Sequence, residues 1–476
     1  MRKTKIICTI GPACTDEAVL EAMVRSGMSV ARLNFSHGDH AEHAERIAMI
    51  HALRDRMGIP LAIMLDTKGP EIRLRQFAGG QARLEDGSQF ILTTEEVLGD
   101  GNQASITYEK LPQEVAGGEA ILIDDGKIEL RVERSEGTRV ICTVVHGGMV
   151  SDRKSINIPN TRLSLPYLSE QDREDLLFGI EQDVDYIAAS FTRSKEDVIA
   201  LRKFVDYNGG HGIRIIAKIE NIEGVENFAE ILRYADGIMV ARGDMGVEIP
   251  FERLPGLQKR FIRRCYQAGK VVITATQMLE SMISCAHPTR AEITDVANAV
   301  FDGTSAVMLS GETASGKYPV EAVQVMATIA EQAEKDAFEM QVYRGMQYDA
   351  ELTDNTNAVC DAACTMARDI RAKAIIALTK YGHTARRMSK FRPYQPIVAA
   401  THVRKTFHQL GMCWGVYPVM SRYQKTSDDL LQHAVDCAKQ IDVVEDGDTV
   451  VVAAGVPLDT PGSTNLLKVE VVGRRG

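Results

Sequence analysis

The feature that most constrains this chain is an alternation of short apolar runs with longer stretches of helical pattern, repeated along most of its length. Apolar segments at 5–10, 29–33 and 61–66 are separated by DEAVLEAMVRSG and AEHAERIAMIHALRDRMG, which is βαβαβ grammar. The same grammar resumes at 185–191, 213–219, 237–241, 271–275 and 305–309, each followed by ten or more residues of helical pattern. Three units before the interruption and five after it make eight. Eight successive β-strand and α-helix units predict a closed parallel barrel, whose active site lies at the C-terminal ends of its strands.

The interruption itself reads differently. After Gly69-Pro70 come the alternating stretches QARLEDGSQFILTT, AILIDDGKIELRVE and TRVICTVVH, with turn signals at Asp86-Gly87 and Asp125-Gly126, so 70–166 is expected to be a small all-β insert. Beyond a charged helical stretch to about 347, a third region places strands at 374–379, 396–401, 416–420 and 449–454 and reads as an open α/β domain. The expected division is 1–69 with 167–347, then 70–166, then 348–476, in keeping with a prior of about three domains for 476 residues.

If the barrel is real, polar residues should gather where its strands end. Arg32, Asn34 and Ser36 follow the second strand, Asp66, Thr67 and Lys68 the third, and Lys218 and Glu220 the fifth. Arg242 and Asp244 follow the sixth, Thr276 and Gln277 the seventh, Ser310 and Glu312 the eighth. Glu220 and Asp244 end adjacent strands and offer the carboxylate pair that Mg²⁺ takes alongside substrate oxygens and water. Lys218 lies two residues before Glu220, on the same side of an extended chain, where its ammonium suits a substrate with several negative charges. The plain alternative is a surface ion pair at a strand end, disfavoured because so many strand ends agree.

Asn34, Ser36 and Asp66 add oxygen ligands with one formal charge among them, better matched to a monovalent cation, although a turn or capping role explains Asn34 and Ser36 equally well. Arg32, with Arg73 and Lys154 from the insert and its hinge, brings further cations to the same mouth. A mobile β lid carrying cations over a phosphate site is a device for excluding water.

Other chemistries are constrained by what the chain lacks. Gly311-Glu-Thr-Ala-Ser-Gly316-Lys317 matches a phosphate loop until Tyr318, where a metal-binding hydroxyl should stand. The nine cysteines contain no CxxC pair and are expected as free thiols, with Cys360 and Cys364 in the core. A net charge of -10 argues against nucleic acid. No apolar run is long enough for a signal-peptide core or a membrane span, so a cytoplasmic protein is expected.

The segments ARLNFSHG, LDTKGPEIR, AKIEN, MVARGDMGVEIP, TATQMLESM, PTRAEITDVANAV and MLSGETASGKYP resemble pyruvate kinase, and the likeness runs from Lys3 almost to the end. The resemblance implies a (β/α)8 TIM barrel interrupted by a small β-barrel lid and followed by an α/β effector domain. It implies transfer of phosphate from phosphoenolpyruvate to ADP, giving pyruvate and ATP. Lys218 would stabilise the transferring phosphoryl group, Glu220 and Asp244 would hold Mg²⁺ or Mn²⁺, and Thr276, Gly243, Asp244 and Arg32 would bind phosphoenolpyruvate. Asn34, Ser36, Asp66 and Thr67 match the family's K⁺ site. Asn34, Phe35, Ser36 and His37, with Arg73 and Lys154, match its nucleotide contacts, Lys154 within a segment, SDRKSIN, that departs from the usual lid motif. Glu71 stands where potassium-independent members carry lysine. Thr276 is expected to serve proton transfer as well, through water linked to Ser310 and Glu312.

In the third region, Thr379, His383 and Thr384 open a helix after a strand, which is either a simple capped turn or an anion site. The resemblance favours the anion site. It makes this loop, with Gly462, Ser463 and Thr464, the holder of a sugar-phosphate effector, fructose 1,6-bisphosphate first and a sugar monophosphate second. A homotetramer is implied as well, with apolar faces near 331–341 for partners. Two other readings stay in view: a phosphate-loop NTPase, disfavoured by Tyr318, and a catalytically dead sugar-phosphate sensor, disfavoured by the intact Lys218, Glu220, Asp244 and Thr276.

Overall fold

The computed structural model describes residues 1–345, 354–422, 427–456 and 464–474. The eight expected strands are present, at Lys5–Thr9, Val30–Asn34, Ala62–Asp66, Tyr186–Ala189, Arg214–Ile219, Gly237–Ala241, Val271–Ala275 and Ala306–Leu309. They are parallel and closed, the first pairing with both the second and the eighth. Alternate residues divide between two cores, as the period-two geometry of a strand requires. Ile7, Met64, Ala188, Ile216, Met239, Ile273 and Met308 fill the barrel interior. Ile6, Cys8, Leu33, Ile63, Ile187, Ile215 and Val240 face the surrounding helices.

Polar caps start those helices where the sequence supplies them. Asp16 accepts from the amides of Ala18 and Val19 ahead of Glu17–Ser26, and Thr289 with Glu292 forms a capping box ahead of Arg290–Phe301. The near-miss phosphate loop becomes the short helix Gly311–Ala314, and the amides of Ser315 and Gly316 turn back onto the Gly311 carbonyl at 3.1 and 2.8 Å. Those amides are spent within the turn and do not face a phosphate.

The insert leaves the barrel after the third strand and returns before the fourth. It forms a seven-stranded sheet whose edges are Ile72–Arg73 and Gln103–Ser105, and a bridge between Leu74 and Ile106 brings those edges together. Phe90, Leu92, Ile121, Leu130 and Val140 fill its own core. The helix Leu111–Glu114 is an addition that the reading as a purely β insert did not anticipate. Both crossings meet one buried carboxylate, since Asp172 accepts from the Gly69 amide at 3.0 Å and from the Ser169 hydroxyl at 2.6 Å. Gly69 has φ +76° and a Cβ there would lie 2.9 Å from Ser190 and from the Phe191 ring, so this crossing requires glycine.

The last region is a five-stranded sheet in the order Val416–Met420, Ile397–Thr401, Ala374–Leu378, Thr449–Ala454 and Leu466–Val471. The first four are the expected strands, and they pair in parallel. The fifth, LLKVEV, is an antiparallel edge strand that the sequence reading omitted: its alternation with charge reads as half-exposed surface, and only pairing with Thr449–Ala454 makes it a strand. This sheet docks under the N-terminal end of the barrel. There the Tyr186 hydroxyl donates to the Gln409 carbonyl at 2.6 Å and Lys5 Nζ to the Val416 carbonyl at 2.7 Å. Cys360 and Cys364 are buried on the helix Asn355–Asp369, and all nine cysteines are free thiols, as expected. Among the described residues no helix is long and apolar enough to cross a membrane.

Candidate active site

The inward-facing strand positions do not stop at the apolar core. Continued by two residues, the interior series Val30 reaches Arg32, Met64 reaches Asp66, Ala188 reaches Ser190, Ile216 reaches Lys218 and then Glu220, and Ile7 reaches Thr9. Strand periodicity therefore delivers a ring of polar side chains onto the top of an apolar plug. Arg32 Nε lies 2.6 Å from Asp66 Oδ2, and its Nη1 donates to the Thr9 hydroxyl at 2.9 Å. Lys218 Nζ lies 2.8 Å from Glu220 Oε1, 3.1 Å from Asp66 Oδ1 and 2.8 Å from Ser190 Oγ. All of these groups are buried.

Burial opposes each of these charges, and the neighbours decide the outcome group by group. Burial opposes the Lys218 ammonium, but Asp66, Glu220 and Asp244 outweigh it and raise its pKa above the ordinary lysine value. Burial likewise opposes the Asp66 carboxylate, and Arg32 with Lys218 nevertheless hold it below the usual range. At Glu220 burial wins and pushes the carboxyl up, against Lys218 and with repulsion from Asp244. Two carboxylates that repel each other beside a fixed ammonium form a donor set that a divalent cation would relieve. Among the described residues no cluster of three or more His, Cys, Asp or Glu is suited to a metal.

The seventh strand breaks the periodicity. Thr276 follows Ala275 on the wrong parity to face inward, yet Thr276 and Gln277 adopt φ of +68° and +54°, and the left-handed turn re-aims the hydroxyl. For a β-branched residue that conformation is strained and persists only where its surroundings enforce it. Here they do: the Gly243 amide donates to Thr276 Oγ1 at 2.8 Å, and Arg242, paired with Asp295 at 2.7 Å, donates to the Thr276 carbonyl at 2.6 Å. Glu312 is buried at the next strand end, where its carboxylate accepts from the amides of Ser310 at 2.7 Å and Leu279 at 3.1 Å.

Between barrel and insert lies a cleft of about 460 Å³, lined by Arg32, Asn34, Ser36, His37, Arg73, Lys154, Lys218, Glu220 and Asp244. The turn and the ligand readings of Asn34 turn out to be compatible, since its Oδ1 accepts from the Ser36 amide at 3.2 Å while both residues line the cleft. Phe35 does not join them. The residue is 8% exposed and its ring stacks on His43 at 4.1 Å, so only its backbone is left for a nucleotide. Thr67 is buried and accepts from the Ser190 amide at 3.1 Å. Arg73 pairs with Glu71 at 2.6 Å, and Lys154 with Asp124 at 2.7 Å.

In the last region Thr379 ends its strand, Gly382 at φ +80° precedes the helix His383–Lys390, and the Thr384 hydroxyl meets that of Thr464 at 2.8 Å. The two predicted loop segments thus come together; Gly462 and Ser463 lie outside the described residues. The sequence reading missed Thr9 and Ser190, at the ends of the first and fourth strands. Both lie inside the apolar runs already read, two residues after interior Ile7 and Ala188, so following the in/out alternation to the end of each run finds them.

A TIM barrel with buried paired cations and carboxylates at its C-terminal mouth, facing a β insert that brings Arg73 and Lys154 to the same cleft, defines an enzyme that handles a multiply charged anion. Comparison with known proteins makes that class particular. The pyruvate kinase barrel-domain model matches residues 1–323 and the pyruvate kinase alpha/beta-domain model residues 357–470. The chain is 49% identical over 473 residues to a pyruvate kinase of Clostridium acetobutylicum, covering 99% of this chain and 100% of that protein. It is 47% identical over 473 residues to one from Geobacillus stearothermophilus, covering 99% and 80%. A crystal structure of a pyruvate kinase from Cryptosporidium parvum superposes with a TM-score of 0.91 at 40% identity, over 99% of this chain and 96% of that one. The chain belongs to the pyruvate kinase family, as its motifs implied.

Proposed function

We propose that this enzyme transfers the phosphoryl group of phosphoenolpyruvate to ADP, giving pyruvate and ATP as the last step of glycolysis. The observation that carries the reading is the Lys218 ammonium, buried and held by two carboxylates and a hydroxyl at the barrel mouth. As the P–O bond to the enol oxygen breaks and one to the terminal ADP oxygen forms, charge spreads over the phosphoryl oxygens and onto the enolate. Lys218 and Arg32 are the fixed cations for that charge, which acts in a dry site where it counts most. Glu220 and Asp244 would hold Mg²⁺ or Mn²⁺, which supplies Lewis-acid stabilisation of the phosphoryl and enolate oxygens. Asn34, Ser36, Asp66 and Thr67 would hold K⁺.

Gly243, Asp244 and Thr276 bind the substrate carboxylate in this reading, and the Thr276 hydroxyl handles the proton delivered to the enolate carbon. Asn34, the Phe35 backbone, Ser36 and His37 take the nucleotide phosphates from the barrel side, Arg73 and Lys154 from the lid. Residues 1–69 and 167–347 would then be catalytic, 70–166 the lid, and 348–476 a regulatory domain that binds a sugar phosphate through Thr379, His383, Thr384 and Gly462, Ser463 and Thr464. A cytoplasmic homotetramer fits this family.

A coupled assay of ADP and phosphoenolpyruvate, run with and without K⁺, fructose 1,6-bisphosphate and sugar monophosphates, tests the whole reading. ADP-dependent consumption of phosphoenolpyruvate is expected, and its absence sinks the proposal.

A further inference from the structure

We infer that Ser190 is a positioning residue that joins the monovalent-cation site to the lysine that performs phosphoryl transfer, an inference that rests on the reading above. Ser190 follows the fourth barrel strand and is 2% exposed. Its hydroxyl accepts from Lys218 Nζ at 2.8 Å and donates to the Thr67 carbonyl at 2.5 Å, with Asp66 Oδ1 3.2 Å away. Its amide donates to Thr67 Oγ1 at 3.1 Å. Two hydrogen bonds therefore staple the end of the fourth strand to Thr67 on the third, and the same side chain grips Lys218 on the fifth.

The chemistry of the three Lys218 partners distinguishes Ser190 from the other two. An ammonium has three protons to direct, and here they meet Asp66, Glu220 and Ser190. Asp66 is shared with the K⁺ site and Glu220 with the divalent metal. Ser190 is the neutral partner that no cation claims, so it keeps the ammonium aimed when both carboxylates are drawn toward metal ions. Because its hydroxyl proton is committed to Thr67, any shift of Thr67 on gain or loss of K⁺ is passed to Lys218 through one side chain. Local packing gives Ser190 little freedom to respond otherwise: the Gly69 α-carbon sits so near that an added Cβ would come within 2.9 Å of Ser190 Cβ.

The test compares Ser190→Ala and the size-matched, weakly hydrogen-bonding Ser190→Cys with wild type in steady-state assays across a KCl titration, with thermal melting of each protein. Both variants are expected to lose kcat about 10- to 100-fold, the range for removing an outer-shell partner of a reacting group. The KM for phosphoenolpyruvate should stay within about threefold, because the lysine acts mainly in the transition state. The K⁺ concentration for half-activation should rise at least severalfold. A kcat within twofold of wild type in both variants overturns the inference, and so does a lost kcat at unchanged K⁺ half-activation. A rate loss that only follows lowered melting assigns Ser190 to packing and overturns it too. Failure of the underlying reading is a different result, namely a wild-type protein that does not consume phosphoenolpyruvate in the presence of ADP.

Discussion

The barrel mouth and the loop after Ala374–Leu378 in the third region are built on the same plan, polar residues where parallel strands end, yet they differ in what is buried. At the mouth Arg32, Asp66, Lys218 and Glu220 are all under 9% exposed and satisfy one another's charge. The loop between Ala374–Leu378 and the helix His383–Lys390 instead buries a neutral pair of hydroxyls, Thr384 against Thr464, and leaves His383 exposed. The difference follows from the tasks proposed for the two places. Stabilising a transition state demands charges fixed in a low-dielectric site before the reaction begins, whereas sensing a phosphate needs donors that can be satisfied by water when the ligand leaves.

The contrast breaks if charge at the mouth is dispensable. Lys218→Met should lower kcat by roughly 10³-fold while phosphoenolpyruvate binding, followed by equilibrium titration, changes little. A near-normal kcat removes Lys218 from the mechanism. Withdrawal of K⁺ comes next in size. In tetramethylammonium buffer the rate should fall by roughly 10²-fold and return on adding KCl, as expected for the loss of one preorganised charge; equal rates would show that the mouth carries its full charge without the ion.

Between the two places lies the seam where the third region meets the barrel, and it contains a titrating group. His408, on the helix Arg404–Leu410, is 4% exposed, and neither ring nitrogen has a hydrogen-bond partner. Burial first, then Arg54 and Arg404, push its pKa down to about 3, with Asp55 opposing and His51 adding slightly. The unfolded chain therefore binds a proton near pH 6.5 that the folded one refuses until about pH 3, so stability falls as pH drops through that window. At pH 5 the loss is about 2 kcal/mol, roughly a 30-fold change in the folding equilibrium. Chemical denaturation at pH 7 and pH 5 should show this loss in wild type and lack it in His408→Leu; an identical pH dependence in both would put the acid-sensitive group elsewhere.

The loop of the third region should respond more weakly to substitution. Thr384 is buried against Thr464, so an acidic residue there would disturb packing as well as charge. His383 is exposed, and His383→Glu tests charge alone. Titrating fructose 1,6-bisphosphate and a sugar monophosphate at low phosphoenolpyruvate should show activation as a lowered half-saturation, weakened about fivefold or more in the variant. Activation that survives unchanged places the effector at another site.

Much of this was legible in the chain, for reasons particular residues make plain. Lysine, arginine, aspartate and glutamate directly after apolar strand runs are rare without a task, which is why Arg32, Asp66, Lys218, Glu220 and Asp244 stood out, and the long motifs named the family. Serine and threonine at strand ends are common as caps and turns, which is why Ser190 and Thr9 did not.

The eightfold alternation, the place of the β interruption and the charged strand ends can all be read along the chain, because strand periodicity and burial act over a few neighbouring residues. Tertiary contacts are what set the Thr276 hydroxyl on the Gly243 amide at a left-handed bend, pack Phe35 against His43, pair LLKVEV as a fifth strand and make Ser190 bridge Thr67 to Lys218. Each of these depends on a partner far away in the chain. The energy that selects the conformation lies in that distant contact, and no local pattern carries it.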